Sequence, residues 1–105
     1  MHVISKRPFS EAAIQYPNQR DALLDVYRVL SRKSVRFTGP EEMRRMFPSL
    51  DNFKFRHKWW VLDVGGNQLR MIASINFEQN RLFVKHIVTH AEYDRLCDRY
   101  RRGQL

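Results

Sequence analysis

The sequence predicts an α+β domain in which N-terminal helices pack on an antiparallel sheet that is followed by a short C-terminal helix. Two observations lead to this fold class. Apolar residues recur at helical spacing in the first half of the chain, and strand-like runs separated by turn residues fill most of the second half. Because the 105 residues contain no repeat and no linker, they are expected to form one domain, residues 1–105.

A short strand and a first helix are expected at the N-terminus. Residues 1–5 can form the strand. Ser10 is a good N-cap residue, because its hydroxyl can accept a hydrogen bond from the first turn of the following helix. Pro17 disfavours helical backbone at the residue before it, so this helix should end near Tyr16.

Two more helices are expected before the sheet. Asn18 can cap the second helix, whose apolar side chains have the i, i+3, i+4, i+7 spacing of one buried face: Leu23, Val26, Tyr27 and Leu30. Pro40 suits the first turn of a third helix through residue 46, and Pro48 closes that helix.

The pattern changes from helical to strand-like at residue 51. Phe53 and Phe55 alternate with Lys54 and Arg56, which predicts a strand with two rings on one face and two cations on the other. The two residues that follow, 57 and 58, can form a turn into the next strand.

Three further strands and a helix complete the prediction. The strands are expected over residues 59–64, 68–77 and 81–88. Gly65, Gly66 and Asn67 tolerate positive φ angles, so they predict a tight hairpin between the first two of these strands. Thr89 and Glu92 have the spacing of a capping box, which indicates that the C-terminal helix begins there.

The net charge indicates an anionic partner. Nineteen lysines and arginines against eleven acidic residues give a charge of +8, which suits a nucleic acid, an acidic protein or a membrane surface. No apolar run approaches the roughly 18 residues of a membrane span, and the N-terminus lacks the apolar segment of a secretory signal. The single cysteine, Cys97, excludes an internal disulfide. The expected location is therefore the cytoplasm.

One arginine stands out inside an apolar strand. Arg70 would be costly to bury without a partner, so it should point to an open sheet face, where its planar fork can clamp a phosphate. The alternative is a structural ion pair with Asp63 across the hairpin. The two arrangements are compatible with each other.

A second group of cations is expected on the same sheet. Lys54, Arg56 and Lys58 precede the hairpin and Lys85 lies on the last strand, where they can attract RNA and stabilise a developing oxyanion. The alternative is a solvated basic edge that prevents aggregation. Trp59 and Trp60 point to opposite strand faces, so that one ring enters the core and the other can stack on a base or lie under a partner.

His90 and Tyr93 follow the last strand, at the start of the last helix. A histidine can move protons near neutral pH, and a tyrosine can stack on a base or donate from its hydroxyl. The alternatives are a capping role for His90 and first-turn packing for Tyr93. The other histidines carry no comparable pattern. No His, Cys, Asp and Glu spacing predicts a metal site, so neither a metal nor another cofactor is expected.

Three stretches resemble the HigB family of RelE-like bacterial toxins: residues 47–54 (FPSLDNFK), 60–70 (WVLDVGGNQLR) and 89–94 (THAEYD). The resemblance covers nearly the whole chain and includes its size, charge and order of helices and strands. It implies a RelE/ParE-like fold of the microbial-RNase type. It also implies an mRNA interferase that cuts translated mRNA in the A site of the 30S ribosomal subunit.

The same resemblance implies the chemistry and the partners. The ribose 2′-OH would attack the adjacent phosphate without a metal, leaving a cyclic phosphate and a free 5′-OH. A HigA-like helix-turn-helix antitoxin would neutralise the toxin, and operator DNA would be bound only through that antitoxin. Two other functions stay open. One is a non-catalytic RNA- or ribosome-binding module, and the other is a ParE-like toxin that poisons gyrase.

Roles carry over from the family to matching positions. Arg70 would stabilise the phosphorane, while Lys54 and Lys58 would position the backbone or activate the nucleophile. Tyr93 would stack on a base or assist proton transfer. His90 stands where many relatives have arginine, so the resemblance leaves the general acid and base open, and His90 is the preferred candidate for one of them. Three further residues are expected to bind RNA: Arg56, Asn67 and Lys85.

Overall fold

The computed structural model describes all 105 residues as four α-helices and a five-stranded sheet. The elements are β1 (His2–Val3), α1 (Arg7–Gln15), α2 (Arg20–Leu30), α3 (Pro40–Met46), β2 (Asp51–Asn52), β3 (Trp59–Val64), β4 (Leu69–Asn76), β5 (Arg81–Thr89) and α4 (His90–Arg101). A 3₁₀ turn, Pro17–Gln19, separates α1 from α2. The predicted α+β class is confirmed. None of the helices is both long and apolar enough to cross a bilayer.

The strands are arranged in the order β1-β5-β4-β3-β2. The pairs formed by β2 to β5 are antiparallel, as predicted, but β1 runs parallel to β5. A parallel partner needs a long crossover, and the helices and strands between β1 and β5 supply one. In this register Arg70 lies opposite Asp63 on β3 and opposite Val88 on β5.

Two apolar clusters lie on opposite faces of the sheet. On one face the N-terminal helices bury residues such as Phe9, Leu23 and Met43 against β3, β4 and β5. On the other face α4 places Tyr100 in a smaller cluster of four buried residues: Phe53, Val61, Ile72 and Tyr100. The expectation that this second face is free was therefore wrong in part, because side chains alternate along β3 and β4 and the apolar ones on this face need a cover.

The C-terminal helix is also longer than expected. With twelve residues α4 is the longest helix of the chain. Its predicted start is confirmed, since the Thr89 side chain accepts a hydrogen bond from the Glu92 amide at 3.3 Å. The start of α4 is thus fixed by a local cap at the end of β5.

The first two helices begin at other residues than predicted. Lys6 precedes α1, and Ser10 lies inside the helix, because Pro8 occupies its first turn and the helix must bury Phe9 completely. Asn18 does not cap α2. It lies within the 3₁₀ turn that Pro17 begins, and Gln19 is the residue before α2.

The predicted strand over Phe53 and Phe55 is absent. Strand β2 contains only Asp51 and Asn52, and the next six residues form a loop. Phe53 is 1% exposed because it enters the cluster under α4, which pulls the backbone away from strand geometry. The predicted turn at residues 57 and 58, the end of this loop, is confirmed, since Lys58 has a φ of 62°.

Two departures from regular strand geometry shape the sheet near its centre and at one end. Gly65 and Gly66 both have a φ of 68°, which confirms the predicted hairpin between β3 and β4. The pairing of β4 with β5 shifts between Ile72 and Ala73, so that Lys85 has no partner in the register. Both features lie next to candidate site residues.

Candidate active site

Arg70 lies on β4, two residues after the hairpin turn, and its side chain is 32% exposed. Its Nε is 3.6 Å from Oδ1 of Asp63, so the predicted cross-hairpin ion pair forms at a distance too long for a good hydrogen bond. This Nε is buried and has no hydrogen-bond partner. No hydrogen bond occupies the terminal nitrogens of this partly exposed side chain, so the guanidinium retains donors that a phosphate oxygen can use.

Tyr93 of α4 packs against Arg70. The Cζ atom of Arg70 is 4.5 Å from the centre of the Tyr93 ring, which is the geometry of a cation–π contact. Burial raises the pKa of Tyr93 to about 12, with a contribution from hydrogen bonding to Cys97, although Arg70 acts in the opposite direction. The Tyr93 hydroxyl is therefore protonated at neutral pH, and it can donate a proton or a hydrogen bond but cannot serve as a base.

His90 is the first residue of α4 and lies at the same end of the sheet. Thr89, the residue before it, pairs with Leu69, which precedes Arg70 on β4. The ring nitrogen Nε2 of His90 is buried and has no hydrogen-bond partner. Since Thr89 provides the cap of α4, the imidazole is free of the capping role, and Tyr93 lies three residues further on the same side of the helix.

The upstream lysines lie in the loop between β2 and β3. The carbonyl of Lys58 accepts a hydrogen bond from the Ile75 amide at 3.0 Å, and Trp59 pairs with Ser74. Ser74 is four residues from Arg70 on β4, which corresponds to about 13 Å along the strand. Lys54 is exposed, with its Nζ 5.4 Å from the Phe55 ring centre. The backbone of Lys58 therefore lies about 13 Å along the strands from that of Arg70, whereas Lys54 follows Phe53, whose ring centre is 6.3 Å from that of Tyr93.

Two of the predicted RNA-binding residues contact aromatic rings. The Cζ atom of Arg56 is 4.7 Å from the Tyr100 ring centre. The Nζ of Lys85 is 4.1 Å from the Phe83 ring centre and 5.4 Å from that of Trp59. The third, Asn67, is exposed in the β3–β4 turn, three residues before Arg70.

Sequence reasoning missed the pair formed by His86 and Tyr100. His86 Nε2 lies 2.8 Å from the Tyr100 hydroxyl, and the two rings meet edge to face. Burial lowers the pKa of His86, and the charge of Lys85 lowers it further. No spacing in the sequence indicates this contact, because it depends on how α4 turns back over β5.

The two tryptophans divide between the faces, as predicted. Trp60 packs against the larger cluster under the N-terminal helices, and Trp59 packs against the smaller cluster under α4. No group of three or more His, Cys, Asp and Glu side chains is arranged to hold a metal ion. The end of the sheet at the β3–β4 hairpin, called the hairpin end below, carries three groups available for chemistry: the guanidinium of Arg70, the phenol of Tyr93 and the imidazole of His90.

Comparison with known proteins identifies the family. The family model described as HigB_toxin, the RelE-like toxic component of a toxin-antitoxin system, matches residues 19–96, which is more than half of the chain. The chain belongs to the HigB toxin family. It is 60% identical over 104 residues to an mRNA interferase HigB of Escherichia coli O6:H1, covering 99% of both chains.

More distant relatives carry the same names. An mRNA interferase toxin HigB of Escherichia coli strain K12 is 37% identical over 94 residues, which is 90% of this chain and 88% of the relative. An mRNA interferase HigB of Shigella flexneri matches to the same extent. The α+β architecture with its five-stranded sheet agrees with a RelE-like toxin. The segment matched by the HigB family model includes Arg70, His90 and Tyr93.

Proposed function

We propose that this HigB-family toxin is an mRNA interferase, an endoribonuclease that cuts messenger RNA and thereby inhibits translation and growth. Full-length similarity to a relative named mRNA interferase HigB carries the proposal. The side chains at the hairpin end support it. A partly exposed guanidinium, a protonated phenol and an imidazole with an unpaired nitrogen can supply the charge stabilisation and the proton transfers of metal-free RNA cleavage.

In the proposed reaction the ribose 2′-oxygen attacks the adjacent phosphorus. His90 accepts the proton of the 2′-OH as the new O2′–P bond forms. Arg70 donates hydrogen bonds to the phosphorane oxygens, where negative charge develops. Tyr93 donates its hydroxyl proton to the 5′-oxygen as the P–O5′ bond breaks, and proton exchange with water restores both side chains. The products are a 2′,3′-cyclic phosphate and a 5′-OH end.

The two upstream lysines are proposed to bind RNA outside the cleaved bond. Lys54 and Lys58 are exposed, and the backbone of Lys58 lies roughly 13 Å from that of Arg70 along the strands, so they are suited to holding the backbone of neighbouring nucleotides. Arg56, Lys85 and Asn67 are proposed to extend the same contact surface. A role for the two lysines in activating the nucleophile would require the RNA to bring them closer.

The proposed setting is the A site of the 30S ribosomal subunit, where a small domain of charge +8 would be attracted to RNA on all sides. Since the family is the toxic component of a toxin-antitoxin system, an antitoxin partner follows. We expect it to be a HigA-like helix-turn-helix protein that neutralises the toxin and links it to operator DNA.

Induced expression of the wild type and of an Arg70→Ala/His90→Ala double variant, with primer extension on a reporter mRNA, tests this function. The wild type should arrest growth and cut the translated reporter, and the double variant should do neither. Arg45→Ala, which removes an exposed arginine of α3, is the matched control and should behave like the wild type.

A second reporter without a start codon tests the ribosomal setting, because it should stay intact. Growth arrest without cleavage would instead favour a ParE-like poison of gyrase. If there is neither arrest nor cleavage, a non-catalytic RNA-binding module becomes the better description.

A further inference from the structure

The second face of the sheet has an open region beside α4. Phe83 on β5, Ser74 on β4 and Trp59 on β3 are neighbours in the register, so their side chains lie in a row across three strands. Phe83 is 38% exposed, which is unusual for a phenylalanine within a strand. Trp59 is half-buried at the border of the cluster under α4.

The row forms a slot with one small residue between two rings. Because the Nζ of Lys85 is 4.1 Å from the Phe83 ring centre and 5.4 Å from that of Trp59, the two rings lie within about 10 Å of each other. This bound leaves room for one base between the rings, and rotation of the exposed Phe83 side chain can adjust the fit.

The charge around the slot fits a nucleic acid. Lys85 forms no ion pair and lies over both rings, so its ammonium group can move to a phosphate when a base enters the slot. The adjoining depression has two cations and no carboxylate among its lining residues: Ile4, Lys58, Ser74, Ile75, Asn76, Arg81 and Phe83. Exposed aromatic rings next to backbone-binding cations are the features with which proteins hold single strands.

We propose that Phe83, Ser74 and Trp59 form a stacking slot for one base of single-stranded RNA and that Lys85 binds the adjacent phosphate. The slot is about 13 Å from Arg70 along β4, so the base that it holds flanks the cleaved bond and is not part of it. This inference rests on the proposed function, because the RNA is taken to be the substrate. The slot is thus a subsite for a base beside the cleaved bond, and it can influence which position of the mRNA is cut.

The fluorescence of Trp59 can report whether a base enters the slot. A Trp60→Phe background leaves Trp59 as the only tryptophan, and its fluorescence should be quenched when a short 2′-O-methyl RNA oligonucleotide binds. This probe has no free 2′-OH, so it stays uncleaved. Binding is measured in parallel by the anisotropy of a dye on the oligonucleotide.

Three substitutions in that background test whether a base stacks in the slot. Phe83→Ala should weaken binding about 5- to 150-fold, the range for the loss of one base–aromatic stack, while Phe83→Tyr should bind as the parent does. Ser74→Leu should fill the slot and weaken binding to a similar degree. Ile14→Ala is the control, because Ile14 is a highly exposed apolar residue of α1, outside the slot.

An abasic oligonucleotide decides between base stacking and backbone contact. Removing the base that occupies the slot should weaken binding to the parent and have little further effect on Phe83→Ala. Binding without a change in Trp59 fluorescence, no binding at all, or equal affinities of the parent and Phe83→Ala would overturn the slot. The outcome is independent of the proposed function, since a wild type that binds in the slot but leaves reporter mRNA intact would contradict cleavage alone.

Discussion

The side chain of Gln19 lies directly against the backbone of Gly65. This contact links the start of α2 to the β3–β4 hairpin. A β-carbon at Gly65 would be 2.0 Å from Oε1 of Gln19 and 2.9 Å from its Cδ. Gly66 has the same φ of 68°, but no atom lies within 4 Å of the β-carbon that it would carry. The two glycines therefore share one backbone requirement and differ in their surroundings.

We expect Gly65→Ala to destabilise the protein more than Gly66→Ala. Each alanine meets the cost of left-handed backbone, about 1 kcal/mol, and the alanine at position 65 must also displace the end of the Gln19 side chain, at a smaller additional cost. Urea denaturation of both variants measures the difference. Adding Gln19→Ala to Gly65→Ala should remove the excess. Equal free energies of unfolding for the two glycine variants would show that the close approach of Gln19 to Gly65 does not affect stability.

A hydrogen-bonded carboxylate holds the first turn of α4. Glu92 accepts hydrogen bonds from the hydroxyls of Thr89 at 3.0 Å and Tyr16 at 3.1 Å. The bond from Thr89 and then that from Tyr16 lower the pKa of Glu92 below its ordinary value of 4.5, against the effect of burial. Its stabilising contribution is complete above pH 4.5 and is lost as the pH falls through the lower value in the folded protein.

Glu92→Gln should therefore make the acid side of the stability profile shallower. The wild type should lose free energy of unfolding below pH 4.5 more steeply than this variant. Tyr16→Phe, which removes one donor and keeps the ring, should cost about 1 kcal/mol at neutral pH. Thermal unfolding from pH 3 to 7 measures both effects. Parallel profiles for the wild type and Glu92→Gln would contradict this account of the helix start.

His86 should produce a second pH dependence at a higher pH. Burial, and then Lys85, lower its pKa below 6.5, so the folded protein favours the neutral ring. The stability that this gives is present above pH 6.5 and is lost as the pH falls through the lower folded value. His86→Gln should remove this step, whereas His57→Gln, at an exposed loop position, should leave it unchanged. Denaturation midpoints between pH 5 and 8 measure the step.

Features that depend on a few neighbouring residues could be predicted from the sequence. The positive φ angles of Gly65 and Gly66 and the cap formed by Thr89 with Glu92 follow from chemistry within four residues. The apolar face of α2 could likewise be predicted, because it depends only on helical spacing. The caps at Ser10 and Asn18 failed, since each depended on where a neighbouring proline and a buried ring fix the backbone.

Features that depend on distant contacts could not be predicted. Phe53 leaves the strand pattern because it packs on Tyr100, 47 positions further along the chain, with the ring centres 5.3 Å apart. The separation of Lys58 from Arg70 depends on the register of β3 and β4, which no pattern of charges shows. His90 and Tyr93 could be grouped in advance because a strand end and a helix start follow one another in the sequence, whereas the contact of Tyr93 with Arg70 depends on the pairing of β4 with β5.

The protonated state of Tyr93 gives the most direct test of the proposed acid. Tyr93→Phe keeps the ring that Arg70 contacts and removes the hydroxyl, so cleavage should slow by about 10²- to 10⁴-fold with little change in RNA binding. Tyr93→Ala removes both and should also weaken the binding of RNA. Cleavage of a reporter message on purified ribosomes, under single-turnover conditions, measures the rate, and oligonucleotide anisotropy measures the binding.

The pH–rate profile and a control complete this test. Because the pKa of Tyr93 is raised to about 12, the wild type should show no loss of activity from this hydroxyl in the neutral and mildly alkaline range. Tyr27→Phe is the matched control, since Tyr27 packs on Phe9 under the N-terminal helices, on the opposite face of the sheet. If Tyr93→Phe cuts as fast as the wild type while Tyr93→Ala is inactive, the ring supplies the function, and the proton for the 5′-oxygen must come from another donor such as His90.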